Sequence, residues 1–502
     1  MAASNRSRGV WGERLRSTQP CLTLTRTKRA RNLDSTKIGG YDMPANGVLA
    51  FGNRELAHYP SQTTRRAYLG LVVLITVALY YALYIGGGVA PLFMKDLHIS
   101  FGYLVRQLAI GNFLGAFASL LAGASDRFGR TRLVVWGLLV VALLTTFAVP
   151  LAENRFVFAV LGIVVGFVEG IILVATPALM RDFSPQVGRA TAMGLWAMGP
   201  VLGSLVTSAV VSTTLTTFTT WRSQFRLCGA FCLIVFVLAF LFLKELKPAL
   251  RDQVMVSERD RVLNELRARG LDIEASLKHP FRQLFRPSIV ASALGVSVLL
   301  LVYYTTVAFG VIYLVEVFHF TPARANALLN YSWAANVIAL LAAGIFSDRL
   351  LVRKPFMLAG GIGAAVLIWL FLAHDYGAPS FPAMVGAASA ISIMLGIGYA
   401  AWMASFTEMV EAYNPALTAT GLAIWGWLLR LVVTGAFLAI PVVVSPVTDP
   451  ARWRLWYVFC AGGAVVFAAV VFVMKGRWST TRAQADAVAH NAAVDRALAL
   501  EA

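Results

Sequence analysis

The chain has 502 residues, of which 58% are hydrophobic and only 14% charged, and its mean hydropathy is +0.70. Soluble domains carry roughly 25% charged residues, so the solvent for most of this chain is lipid, and a water-soluble enzyme or regulator is excluded as its main body. The formal charge of +18 invites a nucleic-acid partner, but Lys and Arg collect in one alternating set of loops between apolar runs, which excludes it.

Residues 1–66 come first, with Arg6, Arg8, Arg14, Arg16, Arg26, Lys28, Arg29 and Arg31 and no apolar core of a secretory signal. They read as a basic, disordered tail drawn to anionic headgroups by ~1 kcal/mol per basic residue. A translation start at Met43 is the alternative. Runs long enough for a helix to cross a bilayer, about 20 residues, then follow at 69–93, 103–124, 133–151, 156–179, 190–212, 227–243, 288–315, 325–346, 356–373, 382–406, 416–444 and 455–474. They lack the period-2 alternation of a membrane barrel, and only helices or closed barrels satisfy backbone groups in lipid. The expected fold is an all-α membrane protein of twelve transmembrane helices.

Residues 248–287 join the two halves. Ser257 with Asp260 marks the start of a short helix ending near Gly270, and His279 to Pro287 reads as an interfacial stretch. Residues 479–502 form an Ala-rich polar tail. The four cysteines (Cys21, Cys228, Cys232, Cys460) have no disulfide spacing, and none of the six histidines lies inside a run, so no metal or other cofactor is expected. The basic residues fall in the tails, at 127–132, at 181 and 189, between 244 and 287, and at 349–354. This bias places both termini in the cytoplasm.

Gly123-Ala-Ser-Asp126-Arg127-Phe-Gly129-Arg130-Thr-Arg132 fills the turn after the second run, and a degraded copy, Gly344-Ile-Phe-Ser-Asp348-Arg349 with Arg353-Lys354, follows the eighth. Asp126 and Asp348 are offset by 222 residues, Tyr80-Tyr81 and Tyr303-Tyr304 by 223, and Thr191 and Thr418 by 227. A near-constant offset means a duplicated six-helix unit. Bundles 67–247 and 288–478 then form two pseudo-symmetric halves with a site between them near the midplane.

The decapeptide resembles the signature between the second and third helices of the major facilitator superfamily, and the resemblance covers residues 67–478. It implies twelve helices, alternating access and no enzymatic activity. It also implies a gating cluster in which Gly123, Asp126, Arg127, Gly129 and Arg130 meet Arg181 at the end of the fourth run, with Asp348, Arg349 and Glu408 as the counterpart in the second half. Gly199-Pro200-Val-Leu-Gly203-Ser204 partly resembles a motif of antiporters in that superfamily, although a kink or a small-residue packing face accounts for it equally well.

Three formal charges lie inside the runs, Arg106, Glu169 and Arg430. Arg106 is close enough to a membrane face to snorkel. Glu169 stands about 14 residues into its run, ~20 Å along a helix, so it is read as the proton-coupling carboxylate, since an acid without water can change protonation near neutral pH. A protonated helix-helix hydrogen bond is the alternative. Arg430 is read as the binder of an acidic substrate group, or as the partner of Glu169. Tyr80, Tyr81, Tyr303, Tyr304 and Asn330 are the remaining substrate-binding candidates, with Tyr84, Tyr399, Asn326 and Trp333 on neighbouring faces.

The expected function is secondary active transport of a small solute across the plasma membrane by a monomer, with proton-coupled symport of an organic anion or metabolite foremost. Proton-driven efflux of drugs or metabolites is the first alternative, and a non-transporting membrane sensor is the alternative from another class. No phosphate-cradling loop, metal cluster or nucleophile with its base is present in the sequence, so the chain is not read as an enzyme.

Overall fold

The computed structural model describes residues 54–56, 58–121, 129–184, 194–247, 250, 283–373, 380–414, 417–474 and 476–481. Gly123, Asp126, Arg127, the helix expected from Ser257 to Gly270 and most of both tails lie outside the described residues.

Twelve helical spans occupy the positions of the twelve apolar runs: α1 Gln62–Asp96, α2 Phe101–Leu121, α3 Arg130–Leu151, α4 Arg155–Phe183, α5 Gly199–Thr214, α6 Trp221–Phe242, α7 Pro287–Phe318, α8 Pro322–Leu350, α9 Lys354–Ala373, α10 Phe381–Tyr413, α11 Thr418–Val443 and α12 Pro450–Val473. Among the described residues, ten of these spans are long and apolar enough to cross a membrane by length and composition. Helix starts follow local chemistry. Asn154, Thr220 and Thr321 each accept a hydrogen bond at the side chain from the backbone N–H three residues on, capping α4, α6 and α8.

Two spans are not regular. Helix α3 passes through a π turn at Leu144–Ala148, and α7 is interrupted at Leu300 between Pro287–Leu299 and Leu301–Phe318. Neither departure changes the hydropathy profile, so neither was expected. Ahead of α1, strand β1 (Glu55–Leu56) pairs in parallel with β2 (Glu245–Leu246), which follows α6.

The packing scheme repeats. Helix α1 packs on α4, α5 and α6, as α7 does on α10, α11 and α12; α2 packs on α4 as α8 does on α10; α3 packs on α4 and α6 as α9 does on α10 and α12. Across the halves, α2 meets α11, α5 meets α8, and α1 meets α7. Adding six to each helix number turns the first of these contacts into the second and returns the third to itself, which is the signature of a pseudo-two-fold axis between two bundles.

The Gly199-Pro200 segment opens α5 as a packing face. A Cβ on Gly203 would lie 2.4 Å from the Cβ of Tyr80 and 3.1 Å from its carbonyl carbon, so only a glycine lets α5 seat against α1.

Candidate functional site: a cavity between the bundles

A cavity of about 440 Å³ lies along the axis. Tyr80 and Tyr84 reach it from α1, Gln107 and Asn112 from α2, Glu169 from α4, Tyr303 and Tyr304 from α7, Tyr399 from α10, and Trp425 and Arg430 from α11. Among the described lining residues, only Glu169 and Arg430 carry a formal charge.

Glu169 is 1% exposed, and neither carboxylate oxygen has a hydrogen-bond partner among the described residues. Arg430 has no carboxylate at ion-pairing distance among them either. The two charges therefore share one chamber without forming the direct pair considered from sequence. Arg430 points past Gly115 of α2, where an added Cβ would lie 4.0 Å from Nη1 and 3.5 Å from the carbonyl oxygen of Gly166 on α4. Tyr80 lines the same chamber as both charges. The α11 backbone at this level is tied across the halves by Asn112, whose Nδ2 donates to the Arg430 carbonyl (3.2 Å) and to Thr434 Oγ1 (2.8 Å).

Two of the expected lining residues sit elsewhere. Tyr81 is turned away from the cavity against Phe231 of α6, with ring centroids 5.9 Å apart, because consecutive helical residues point about 100° apart. Asn330 does not line the cavity either; Asn336, further along α8, does, and donates to the Ser392 carbonyl at 2.6 Å. Arg106 is exposed, as a snorkelling side chain would be.

Sequence reading did not single out Gln107, Asn112, Asn336 or Trp425. The available signal was an uncharged amide or indole inside an apolar run, which is common in any helix bundle. Trp196 lines the cavity as well, held by its Nε1 donating to Thr176 Oγ1 at 3.0 Å.

Charged clusters cap one end of each bundle. In the first, Arg130 Nη1 donates to both Asp182 oxygens at 2.8 and 2.9 Å, and the Asp182 side chain is 4% exposed. Glu245 accepts from the Thr131 N–H at the start of α3 (3.3 Å), where a carboxylate complements the helix dipole. Gly129, at φ 84°, allows that approach, since a Cβ there would lie 2.8 Å from Glu245 Oε1. In the second bundle, Arg353 Nη1 pairs with Asp348 and donates to Ser347 Oγ (2.8 Å), while its Nε and Nη2 donate to Glu408 Oε1 at 3.1 and 2.9 Å. Burial works against the Arg353 charge, but Glu408 and Asp348 outweigh it and hold the guanidinium above the ordinary arginine range.

The expected pairing of Asp126 near Arg181 lies outside the described residues; beside Arg181, Asp182 joins the cluster by taking the Arg130 guanidinium, and in the second half Arg353 rather than the exposed Arg349 joins Asp348 to Glu408. Arg130 and Arg353 are offset by 223 residues and Asp182 and Glu408 by 226, so the clusters are repeat-related.

At the opposite end the halves are sealed. Phe101 of α2 packs on Phe309 of α7 and Trp453 of α12 with centroids 5.3 and 6.0 Å apart, and Asn326 Nδ2 of α8 donates to the Gly88 carbonyl of α1 at 2.8 Å.

The sequence matches the profile of the Major Facilitator Superfamily over residues 72–437. Multidrug resistance protein 2 of Bacillus subtilis (strain 168) is 26% identical over 361 residues, 66% of this chain and 82% of that protein. The hexuronate transporter of the same organism is 31% identical over 166 residues, 32% of this chain and 37% of that protein. Among solved structures, a bacterial homologue of the human lysosomal transporter Spinster, in an inward-facing and unoccupied conformation, superposes with a TM-score of 0.62 at 14% identity, covering 84% of this chain and 98% of the other. A D-xylose-proton symporter does so with a TM-score of 0.62 at 13% identity, covering 80% and 96%. With a profile match that begins within α1 and runs into α11, on two bundles that repeat one packing scheme, this chain belongs to the Major Facilitator Superfamily of membrane transporters and is not an enzyme.

Proposed function

We propose that the chain is a proton-coupled secondary transporter that moves a small organic anion through the central cavity by alternating access. The observation that carries this reading is the pair of charges in one chamber that are uncompensated among the described residues, Glu169 without a hydrogen-bond partner there and Arg430 without a carboxylate. A charge at membrane depth costs ~2.5–3.5 kcal/mol even on insertion scales, and such residues face partners or cavities. An anionic substrate would neutralise Arg430, and a proton would neutralise Glu169. The doubly loaded chamber is then the one that closes at least electrostatic cost, which couples the two cargoes. Two relatives support the parts separately: one is named for hexuronate, itself a carboxylate, and a structural neighbour is named as a proton symporter.

The test is flux of candidate organic acids into proteoliposomes with and without an inwardly directed proton gradient. Wild type is expected to accumulate its substrate only with the gradient. Glu169→Gln should keep substrate exchange at equal pH and lose gradient-driven accumulation, whereas full accumulation by this variant would overturn the coupling role. Arg430→Gln should weaken substrate affinity about 10- to 100-fold, the value of a charge-assisted contact.

A second reading, export of lipophilic compounds by proton antiport, is favoured by the predominantly apolar cavity wall and by the multidrug resistance relative. The direction of flux under one imposed proton gradient separates the two, since symport carries the solute with the protons and antiport against them. The loop charges support an orientation with both termini and the Arg130 and Arg353 clusters at the cytoplasmic face, in what this reading takes to be the plasma membrane. The same reading treats the chain as a monomer with bundles 67–247 and 288–478, a linker at 248–287 and tails at 1–66 and 479–502.

A further inference from the structure

We infer that the transported anion is an amphipathic monocarboxylate, its acid group held at Arg430 and its apolar tail seated in a lobe of the cavity inside the N-terminal bundle. This rests on the anion-transport reading and specifies its substrate. The cavity does not stop at the seam between the halves. Thr145 and Val149 of α3 and Phe225 of α6 line it, although α3 and α6 pack within their own bundle rather than against the other. The π turn of α3 is what carries Thr145.

The lobe has an aromatic end wall. Phe93, Phe158 and Phe225 line it, with Phe93 and Phe158 4.7 Å apart and Trp221 backing Phe158 at 5.6 Å. Its entrance runs along α4, where Gly162, Gly166 and Gly170 occur on successive turns and all line the cavity. A Cβ at Gly166 would meet nothing within 4 Å, so the passage exists because a side chain is missing there. Arg430 is level with Gly166, and Phe158 lies eight residues earlier on α4. That separation is about 12 Å along a helix, the reach of a medium-length alkyl or aryl-alkyl tail.

Chemistry at the two ends differs. Trp425, five residues earlier on the same helix, also lines the cavity, and its Nε1 is buried with no hydrogen-bond partner among the described residues, leaving a further donor on the Arg430 side of the neck. Gln107 stands at the neck with its Nε2 against Gly162, and its Oε1, also buried and without a partner among the described residues, can accept from a single hydroxyl or amide on the tail. Beyond the neck the described lining holds no charge. A second carboxylate on the ligand would lie against aromatic rings or beside Glu169, so one acid group is favoured over two.

The experiment is calorimetric binding of a chain-length ladder, butyrate to dodecanoate with 4-phenylbutyrate, to the full-length protein in nanodiscs, with octanamide as the neutral control. Affinity should rise about three- to fourfold per methylene from butyrate to octanoate and then level off, and octanamide should bind at least tenfold more weakly than octanoate. Gly166→Val, which fills the neck, should weaken octanoate at least tenfold more than butyrate, and Phe158→Ala should move the chain length at which affinity levels off at least two carbons longer. Melting temperatures within 3 °C of wild type check that both variants are folded, and if one is not, the ladder on wild type decides. Equal affinity for butyrate and octanoate, or equal weakening of both by Gly166→Val, would overturn the tail lobe while leaving Arg430-dependent anion binding in place. Failure of every carboxylate to bind would overturn the anion reading and this inference with it.

Discussion

At the scale of single residues, the two charged clusters look alike but differ in how much water they see. Asp182 is 4% exposed beneath Arg130, while Glu408 is 56% exposed beside Arg353. Removing one partner of a buried pair strands the other charge and costs about 3–5 kcal/mol, whereas an exposed pair contributes about 0–1 kcal/mol. Asp182→Asn is therefore expected to lower the melting temperature of the purified protein clearly more than Glu408→Gln, and equal losses would contradict the burial difference. This pair also marks a limit of sequence reading. The basic turn pointed to a partner at the end of the fourth run, and Asp182 there takes Arg130, a pairing that composition does not reveal because only the helix phase decides which side chains turn inward. The same limit separates Tyr80, in the cavity, from Tyr81, against α6. Glu169 and Arg430 were legible because each is a rare charge in an apolar run, whereas Asn112 and Gln107 were not, because isolated amides usually serve packing.

At the scale of elements, hydropathy locates helices well because a bilayer imposes one length on all of them, yet it is blind to geometry within a span. It does not register the π turn of α3 or the interruption of α7 at Leu300, since neither alters composition. It also misjudges ends, which depend on caps: the fourth span begins at Asn154 because that side chain accepts from the Val157 N–H at 2.9 Å. The Gly199-Pro200 motif was open between a functional and a packing role, and Gly203 supplies a packing reason for it. Gly203→Ala would drive a methyl group into the Tyr80 backbone, and overpacking of this kind costs about 1–3 kcal/mol. Gly70 is exposed on α1 and a Cβ there meets nothing within 4 Å, so Gly70→Ala should be neutral or stabilising by up to about 1 kcal/mol. Thermal unfolding in one detergent tests both, and a Gly203→Ala protein as stable as wild type would mean that α1 and α5 can separate freely. Because Tyr80 also faces the cavity, a shift of α5 is expected to disturb transport together with stability.

At the scale of the whole molecule, the repeat that was visible as a constant sequence offset becomes a pseudo-two-fold axis, and the axis explains why the site is central. Among the described residues α1, α2, α5, α7, α8 and α11 make the principal contacts across it, so the proposed rocking of one bundle on the other would exchange these interfaces and leave the rest of each bundle intact. Under that proposal the closed Asp96 end is one side of a balance between two conformations. Asn326 is well suited to test that balance. It is 1% exposed, it donates to the Gly88 carbonyl across the seam, and its Oδ1 has no partner among the described residues. Asn326→Ala should remove one inter-bundle hydrogen bond, worth about 1 kcal/mol, without stranding a charge. A loss of that size moves a two-state equilibrium about fivefold, here toward opening at this end. Spin labels at Thr217, in the loop between α5 and α6, and at Ser380, before α10, stand on opposite halves at the sealed end. Pulsed dipolar spectroscopy is expected to show a longer-distance population that grows in Asn326→Ala, and that shrinks again when a bound anion closes the cavity around itself. An unchanged distance distribution would mean that the aromatic contacts of Phe101, Phe309 and Trp453 hold the seam by themselves.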